Sequence, residues 1–118
     1  MFKAISEELR TYLGGLMEFM SVMQRDDKLF LFPIVASIEN TLPLSTYVLS
    51  ERTPDTKDRS QINITLNFWF NIESYDQCCD FTDTMSELID AKYLFQSSAI
   101  EYNEESETFS GIINFSII

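Results

Sequence analysis

The strongest periodic pattern in the chain runs from Ile62 to Ile72, where apolar and polar residues alternate. The apolar side consists of Ile62, Ile64, Leu66, Phe68, Phe70 and Ile72. The other side carries Asn63, Thr65, Asn67 and Asn71, with Trp69 as its one large aromatic residue. Because successive side chains of a strand point to opposite faces, this pattern predicts a long central strand. One of its faces is buried, and the other faces water or a partner.

A helix is predicted directly after this strand, from Tyr75 to about Asp90. Ser74 and Gln77 have capping-box spacing, in which the serine side chain accepts a hydrogen bond from an amide of the first turn. At 100° per residue, one face is formed by Cys78, Phe81, Thr82, Met85, Leu88 and Ile89. The opposite face carries an acidic stripe, defined as Asp76, Asp80, Asp83, Glu87 and Asp90. The apolar face is therefore expected to pack on the sheet, with the acidic stripe away from the core.

The N-terminal part of the chain begins with a predicted helix from Phe2 to about Leu13, which Gly14 and Gly15 end. Residues 16–24 fit two structures. The pattern favours a strand that turns at residues 25–28 and pairs with residues 29–35, and the alternative is a helix over residues 17–23.

Further along the chain, residues 46–49 have the composition of a strand, and residues 51–60 form a charged loop without an apolar side chain. Alternation over residues 109–118, together with residues 99–102, predicts a C-terminal hairpin with an acidic tip. These elements predict one α+β domain over residues 1–118: an antiparallel or mixed sheet with the amphipathic helix on one face and the N-terminal helix beside it.

The charge of the chain is strongly negative, at -11 over 118 residues. Residues 73–107 contain ten acidic residues and one basic residue, Lys92. Binding to nucleic-acid phosphates requires clustered Lys and Arg, so no specific nucleic-acid binding is expected. Three cations, Arg52, Lys57 and Arg59, gather in the charged loop, and they are candidates for pairing with an acidic surface of a neighbouring subunit. Trp69 is a further interface candidate.

The usual catalytic side chains are scarce. The chain has no histidine, and its two cysteines are the adjacent Cys78 and Cys79. Adjacent cysteines rarely form a disulfide, and no second pair or histidine completes a zinc site. No catalytic residue, metal or cofactor is therefore expected. No apolar run is long enough for a membrane span, and the N-terminus lacks the pattern of a signal peptide, which indicates a cytoplasmic protein.

The order of elements resembles the small tail-terminator and tail-completion proteins of tailed bacteriophages and prophages. The similarity covers residues 33–118: Leu42-Pro43 before Tyr47-Val48, a charged loop, a strand through Phe68-Trp69-Phe70, a helix opened by Ser74-Tyr75-Asp76, and a C-terminal hairpin. The segment Leu42-Pro43-Leu44 departs from the family pattern, because a tyrosine often follows the proline directly.

The resemblance implies a subunit of a ring, commonly a hexamer, that caps the tail tube and contacts head-connector proteins. DNA passes through the lumen, and an acidic lumen would let it slide without binding. Two other classes remain open from the residues. One is an acidic adaptor or inhibitor that binds a basic partner, and the other is an enzyme that uses carboxylates and a metal ion.

Overall fold

The computed structural model describes residues 2–34, 42–52 and 61–117. Three helices lie within these ranges: α1 (Phe2–Gly14), α2 (Met17–Met23) and α3 (Tyr75–Asp90). The strands are β1 (Gln24–Arg25), β2 (Lys28–Leu29), β3 (Leu31–Pro33), β4 (Leu44–Arg52), β5 (Gln61–Asn71), β6 (Leu94–Asn103) and β7 (Thr108–Ile117).

The main sheet has five strands in the order β3-β4-β5-β7-β6. β3 runs parallel to β4, and the other neighbouring pairs are antiparallel. The predicted α+β fold with a mixed sheet is confirmed, and β5 is the central strand as expected. β1 and β2 form a separate two-stranded hairpin.

The helices form a layer on one face of this sheet. Phe81 of α3 packs against Phe68 of β5, with ring centroids 4.8 Å apart, and Phe19 of α2 lies 6.1 Å from Phe81. α1 joins the same layer because the Tyr12 hydroxyl donates to the backbone oxygen of Leu88 at 2.9 Å. The predicted position of the N-terminal helix beside α3 is confirmed.

The alternation of β5 is confirmed in full from Ile62 to Phe70. Each apolar residue of this run is buried against the helices, and each intervening residue is partly exposed. Ile72 was expected on the buried side, and that expectation is wrong. The strand ends at Asn71, so Ile72 lies in a turn and is 47% exposed.

The predicted strand over residues 16–24 is wrong, and the alternative helix is present as α2. If this segment were a strand, both of its faces would carry large apolar residues. The two-residue alternation therefore does not distinguish a polar face from a buried one. Phe19 and Met23, four residues apart, are fully buried on one side of α2. The turn at residues 25–28 is confirmed. Asp26 and Asp27 have φ values of 52° and 61°, the left-handed conformation that a two-residue hairpin of this type requires.

The predicted capping box is also wrong, although the helix starts where it was expected. Ser74 occupies the N-cap position but makes no side-chain capping hydrogen bond. The turn before α3 is instead organised by Asn71, whose side-chain oxygen accepts a hydrogen bond from the amide of Glu73 at 2.8 Å. The Asn71 backbone oxygen accepts a second one from the amide of Ser74 at 2.9 Å. Asn71 thus supplies the local order that the serine side chain was expected to provide.

The strand expected over residues 29–35 is divided into β2 and β3, and β3 pairs with β4 instead of with residues 16–24; residue 35 lies outside the described ranges. The other strand predictions hold, with one boundary corrected. β6 and β7 form the expected C-terminal hairpin, and β4 contains the predicted strand over residues 46–49. Glu51 and Arg52 were expected in the charged loop, but they extend β4 and pair with Ile62 and Gln61 of β5. Residues 53–60 lie outside the described ranges.

Candidate interaction surface

The face of the sheet opposite the helices has no helix over it in the described part of the chain, and Trp69 lies on this open face. Trp69 of β5 stands between Leu44 of β4 and Ser110 of β7 in the strand register. Its indole Nε1 donates a hydrogen bond to the Thr46 hydroxyl at 3.1 Å, which fixes the ring against β4. Because the indole is only partly buried, its outer part remains available for contact.

A groove of about 450 Å³ begins at Trp69 and continues along the β6–β7 hairpin. It is lined by Trp69, Glu101, Tyr102, Asn103, Glu104, Glu105 and Ser110. Three of these residues are glutamates, and no lining residue is basic. The groove therefore combines an aromatic surface with negative charge, a combination suited to the aliphatic stem and charged group of a lysine or arginine.

The turn between β6 and β7 carries Glu104 and Glu105, and hydrogen bonds from Asn103 fix its backbone. The side-chain oxygen of Asn103 accepts hydrogen bonds from the amides of Glu105 at 3.0 Å and Ser106 at 3.3 Å. Glu107 has a φ of 53°, so the chain passes through the left-handed region before it enters β7. The acidic tip is thus a defined turn next to the groove.

Elsewhere on the open face, short polar side chains are hydrogen-bonded across the strands, and the apolar Val48 and Ile112 lie among them. Thr65 donates to the side-chain oxygen of Asn114 at 2.9 Å, and the Asn114 amide donates to the Ser97 hydroxyl at 3.2 Å. A neighbouring row joins Gln96, Ser116 and Asn63 in the same way. Such cross-strand pairs stabilise a sheet without an apolar cover.

The structure separates two of the predicted interface residues, Trp69 and Arg52. Trp69 is at the β5 end that pairs with Leu44, whereas Arg52 pairs with Gln61 at the other end. Eight residues of β5 separate these positions, or about 27 Å at ~3.4 Å per residue. The side chain of Arg52, and Lys57 and Arg59 altogether, lie outside the described residues. Trp69 and the backbone of Arg52 therefore lie at opposite ends of the sheet.

All members of the acidic stripe are exposed on α3, on the side opposite the buried residues of that helix. The apolar face is also as predicted, except that Leu88 is only partly buried. The stripe therefore presents a continuous run of negative charge to whatever lies outside the helix layer.

The cysteines have different environments on this helix. Cys78 is fully buried, and burial raises the pKa of its thiol to about 11. Because the thiolate is the nucleophile and the metal ligand, this thiol is unreactive at neutral pH. Cys79 is partly exposed.

The described residues contain neither a metal-binding cluster nor a membrane-spanning helix. No group of three or more acidic, cysteine or histidine side chains there could hold a metal ion. No helix there is long and apolar enough to cross a membrane.

Sequence reasoning missed the connection between Trp69 and the hairpin tip. It predicted the glutamates of residues 101–107 as a solvated turn and Trp69 as a separate feature. The strand register brings them together, because Trp69 pairs with Ser110 and Ser110 pairs with Glu101. The predicted hairpin indicates that Ser110 pairs with Glu101, because both lie at matching distances from its tip. No local pattern in the sequence indicates that β5 and β7 are neighbours in the sheet.

Comparison with known proteins adds no assignment. No protein-family model matches this chain, and no curated protein matches it.

Proposed function

We propose that this chain is a non-catalytic structural subunit of a tailed bacteriophage or prophage, a tail-terminator or head–tail joining protein that assembles into a ring on the tail tube. The observation that supports this best is the difference between the two ends of the sheet. The acidic groove at Trp69 lies at one end of β5, and at the other end Arg52 of β4 pairs with Gln61 of β5. The order of elements resembles that family, as described above.

A head-to-tail contact between copies requires two different surfaces on each subunit. When two different surfaces of one subunit are complementary, each copy can bind the next, and the series closes into a ring if the rotation permits. In our proposal the cations Arg52, Lys57 and Arg59 of one subunit meet the acidic end of its neighbour. The ring is a hexamer, formed in the host cytoplasm and retained in the neck of the virion.

The other surfaces have roles in the same proposal. The acidic stripe lines or borders the lumen, where repulsion keeps DNA from adhering. The flat ends of the ring contact the tail tube and the head connector. No cofactor is required, because assembly and plugging need only shape and charge.

The acidic stripe gives a direct test of the proposed ring. Repulsion between stripes is screened over roughly 8–10 Å at physiological salt, and so is the attraction between the cations and the acidic end of the neighbour. Assembly should strengthen as salt is added, provided that the attraction is the smaller of the two contributions. The triple variant Asp80→Asn, Asp83→Asn, Glu87→Gln should fold normally and form rings at lower salt, and it should retain DNA that the parent releases. Light scattering over a salt series and DNA filter binding measure both effects.

A matched control changes the net charge equally away from the stripe: Glu7→Gln and Glu8→Gln on α1 with Asp27→Asn in the β1–β2 turn, all at exposed positions. We expect this control to leave the salt dependence close to that of the parent. Equal effects of the two triple variants would show that net charge, not the stripe, controls assembly. A protein that remains monomeric at every salt and fails to bind isolated tail tubes would rule out the terminator function.

The groove at Trp69 supports a second candidate function, an acidic adaptor or inhibitor that captures a basic protein. In that case the protein would act as a single subunit, and lysine- or arginine-rich peptides would change the fluorescence of Trp69. A Glu104→Gln, Glu105→Gln variant should lose that response. Peptide binding by a protein that never forms rings would favour this candidate over the ring.

A further inference from the structure

One edge of the sheet, the outer side of β6, is left unpaired by the part of the chain that the structure describes. β6 is ten residues long and is the last strand in the sheet order, so its outer backbone groups pair with no described residue. Most of its side chains are exposed on both faces, which shows that nothing in the described structure overhangs this edge. Unpaired backbone donors and acceptors in such a row are a template for another strand.

β6 carries few of the features that usually prevent edge pairing. It contains no lysine, proline or glycine, and its one charged residue is Glu101. Its one irregularity is a bulge at Gln96, near its start, which leaves residues 97–103 in regular register. Its exposed large side chains are Leu94 and Tyr102, at 50% and 46%. One glutamate and one bulge near its start are slight protection for an edge strand of ten residues.

We infer that β6 pairs antiparallel with β6 of a second copy of this chain, forming a twofold dimer with a continuous ten-stranded sheet. Residues that lie opposite each other on the two β6 strands must project from the same face of the joined sheet. The two residue numbers of each such pair must therefore add up to an even number. The register centred on Ile100 uses all seven regular residues, 97–103. It places Ala99 opposite Glu101 of the second copy and Ser98 opposite Tyr102 of the second copy.

Charge favours this register, and it favours a second copy of the chain as the partner of β6. The register centred on Glu101 would place two glutamates directly opposite each other, which is unfavourable. With Ile100 at the centre, the acidic tip of each copy extends toward Lys92 of the other copy. Lys92 is the one basic residue in residues 61–117, and it lies just before β6, exposed beside the Tyr12 ring at 4.7 Å. A self-complementary edge of this kind fits a second copy better than an unrelated strand.

This inference does not rest on the proposed ring. A ring uses two different surfaces of each copy, whereas this dimer uses one surface twice. An edge-to-edge contact is small compared with standard interfaces of about 1,600 Å², so the dimer should dissociate on dilution. Dimers and rings differ in sedimentation coefficient, so the dimer and the ring can be tested, and rejected, separately.

Opposite charges introduced at Ala99 test the register. Ala99→Glu places a glutamate opposite Glu101 of the second copy at two symmetric positions, and it should weaken dimerisation by about tenfold. Ala99→Lys at the same exposed position should strengthen it. Sedimentation velocity over a concentration series measures both. Thr84→Glu and Thr84→Lys, on exposed α3, control for net charge.

Cysteine cross-linking gives a readout independent of affinity. In a Cys79→Ser background, a mixture of Ala99→Cys and Glu101→Cys chains should form disulfide-linked heterodimers faster than either chain alone. The inference is overturned if the parent is monomeric at all concentrations, or if both Ala99 variants shift dimerisation in the same direction as their Thr84 controls and by the same factor. Cross-linking of each chain alone as fast as the mixture would also overturn it.

Discussion

The helix layer approaches the sheet closely at Gly111 of β7, and this makes Gly111→Ala an informative substitution. A Cβ atom at this position would lie 1.8 Å from the Thr82 Oγ1 atom, 3.1 Å from its Cβ and 3.3 Å from its Cγ2. The backbone of Gly111 is not in the left-handed region. The cost of an alanine there is therefore steric, and it arises from α3 standing on β7.

The magnitude follows from those distances. Rotation of the Thr82 side chain can move the hydroxyl, but its Cβ belongs to the helix and stays at 3.1 Å. Relief therefore requires a shift of α3 or β7, and overpacking of this kind costs typically ~1–3 kcal/mol. We expect Gly111→Ala to lower the free energy of unfolding by about 2–3 kcal/mol. In a Thr82→Ala background the loss should shrink by at least ~1 kcal/mol, because two of the three close atoms are gone.

Urea denaturation of the four proteins of this double-mutant cycle measures these values. Gly14→Ala is the matched control, because the nearest atom to its added Cβ is Leu29 Cδ2 at an ordinary 3.6 Å. Gly14 ends α1, so alanine there should be neutral or stabilise by up to ~1 kcal/mol. A loss below ~0.5 kcal/mol for Gly111→Ala, or equal losses with and without Thr82, would refute the close approach of α3 to β7.

Three further predictions follow from buried groups. Phe81→Ala should cost ~3–5 kcal/mol in denaturant melts, because its ring packs against Phe68, and a loss under ~1 kcal/mol would place the core elsewhere. Cys79 should react with a thiol reagent at pH 8 well before Cys78, whose burial raises its pKa to about 11; equal rates would contradict that burial. Burial, with smaller contributions from Glu8 and Tyr12, raises the pKa of Tyr93 to about 12. Since the unfolded tyrosine ionises near 10, stability should fall as pH rises from about 10 to 12, and Tyr93→Phe should reduce that fall; an unchanged pH profile would be the contrary result.

The sequence predicts the centre of this fold well because one physical signal dominates there. β5 buries alternate residues from Ile62 to Phe70, and α3 buries one face, so period and burial agree. The same reasoning failed over residues 17–23, where both alternating sets are apolar and only the burial of Phe19 and Met23 distinguishes a helix. The capping-box prediction at Ser74 also failed, because the side chain of Asn71, and not that of Ser74, accepts the hydrogen bond that orders this turn.

The candidate site could be predicted only in part, because it depends on strand order. Trp69 stands out in the sequence as an aromatic residue on a polar face, and the glutamates stand out as a charged turn. Their proximity requires β7 to lie between β5 and β6, which local patterns do not specify. The open edge at β6 has the same origin, since a strand is known to be an edge only once its neighbours are known.

The central claim is that this chain is a ring-forming structural subunit, and electron microscopy of the purified protein tests it most directly. Particles should be imaged at low and high salt, alone and mixed with isolated tail tubes. We predict closed rings that become more abundant at high salt and that sit on tube ends. Particles no larger than a twofold dimer under all these conditions, with bare tube ends, would contradict the claim.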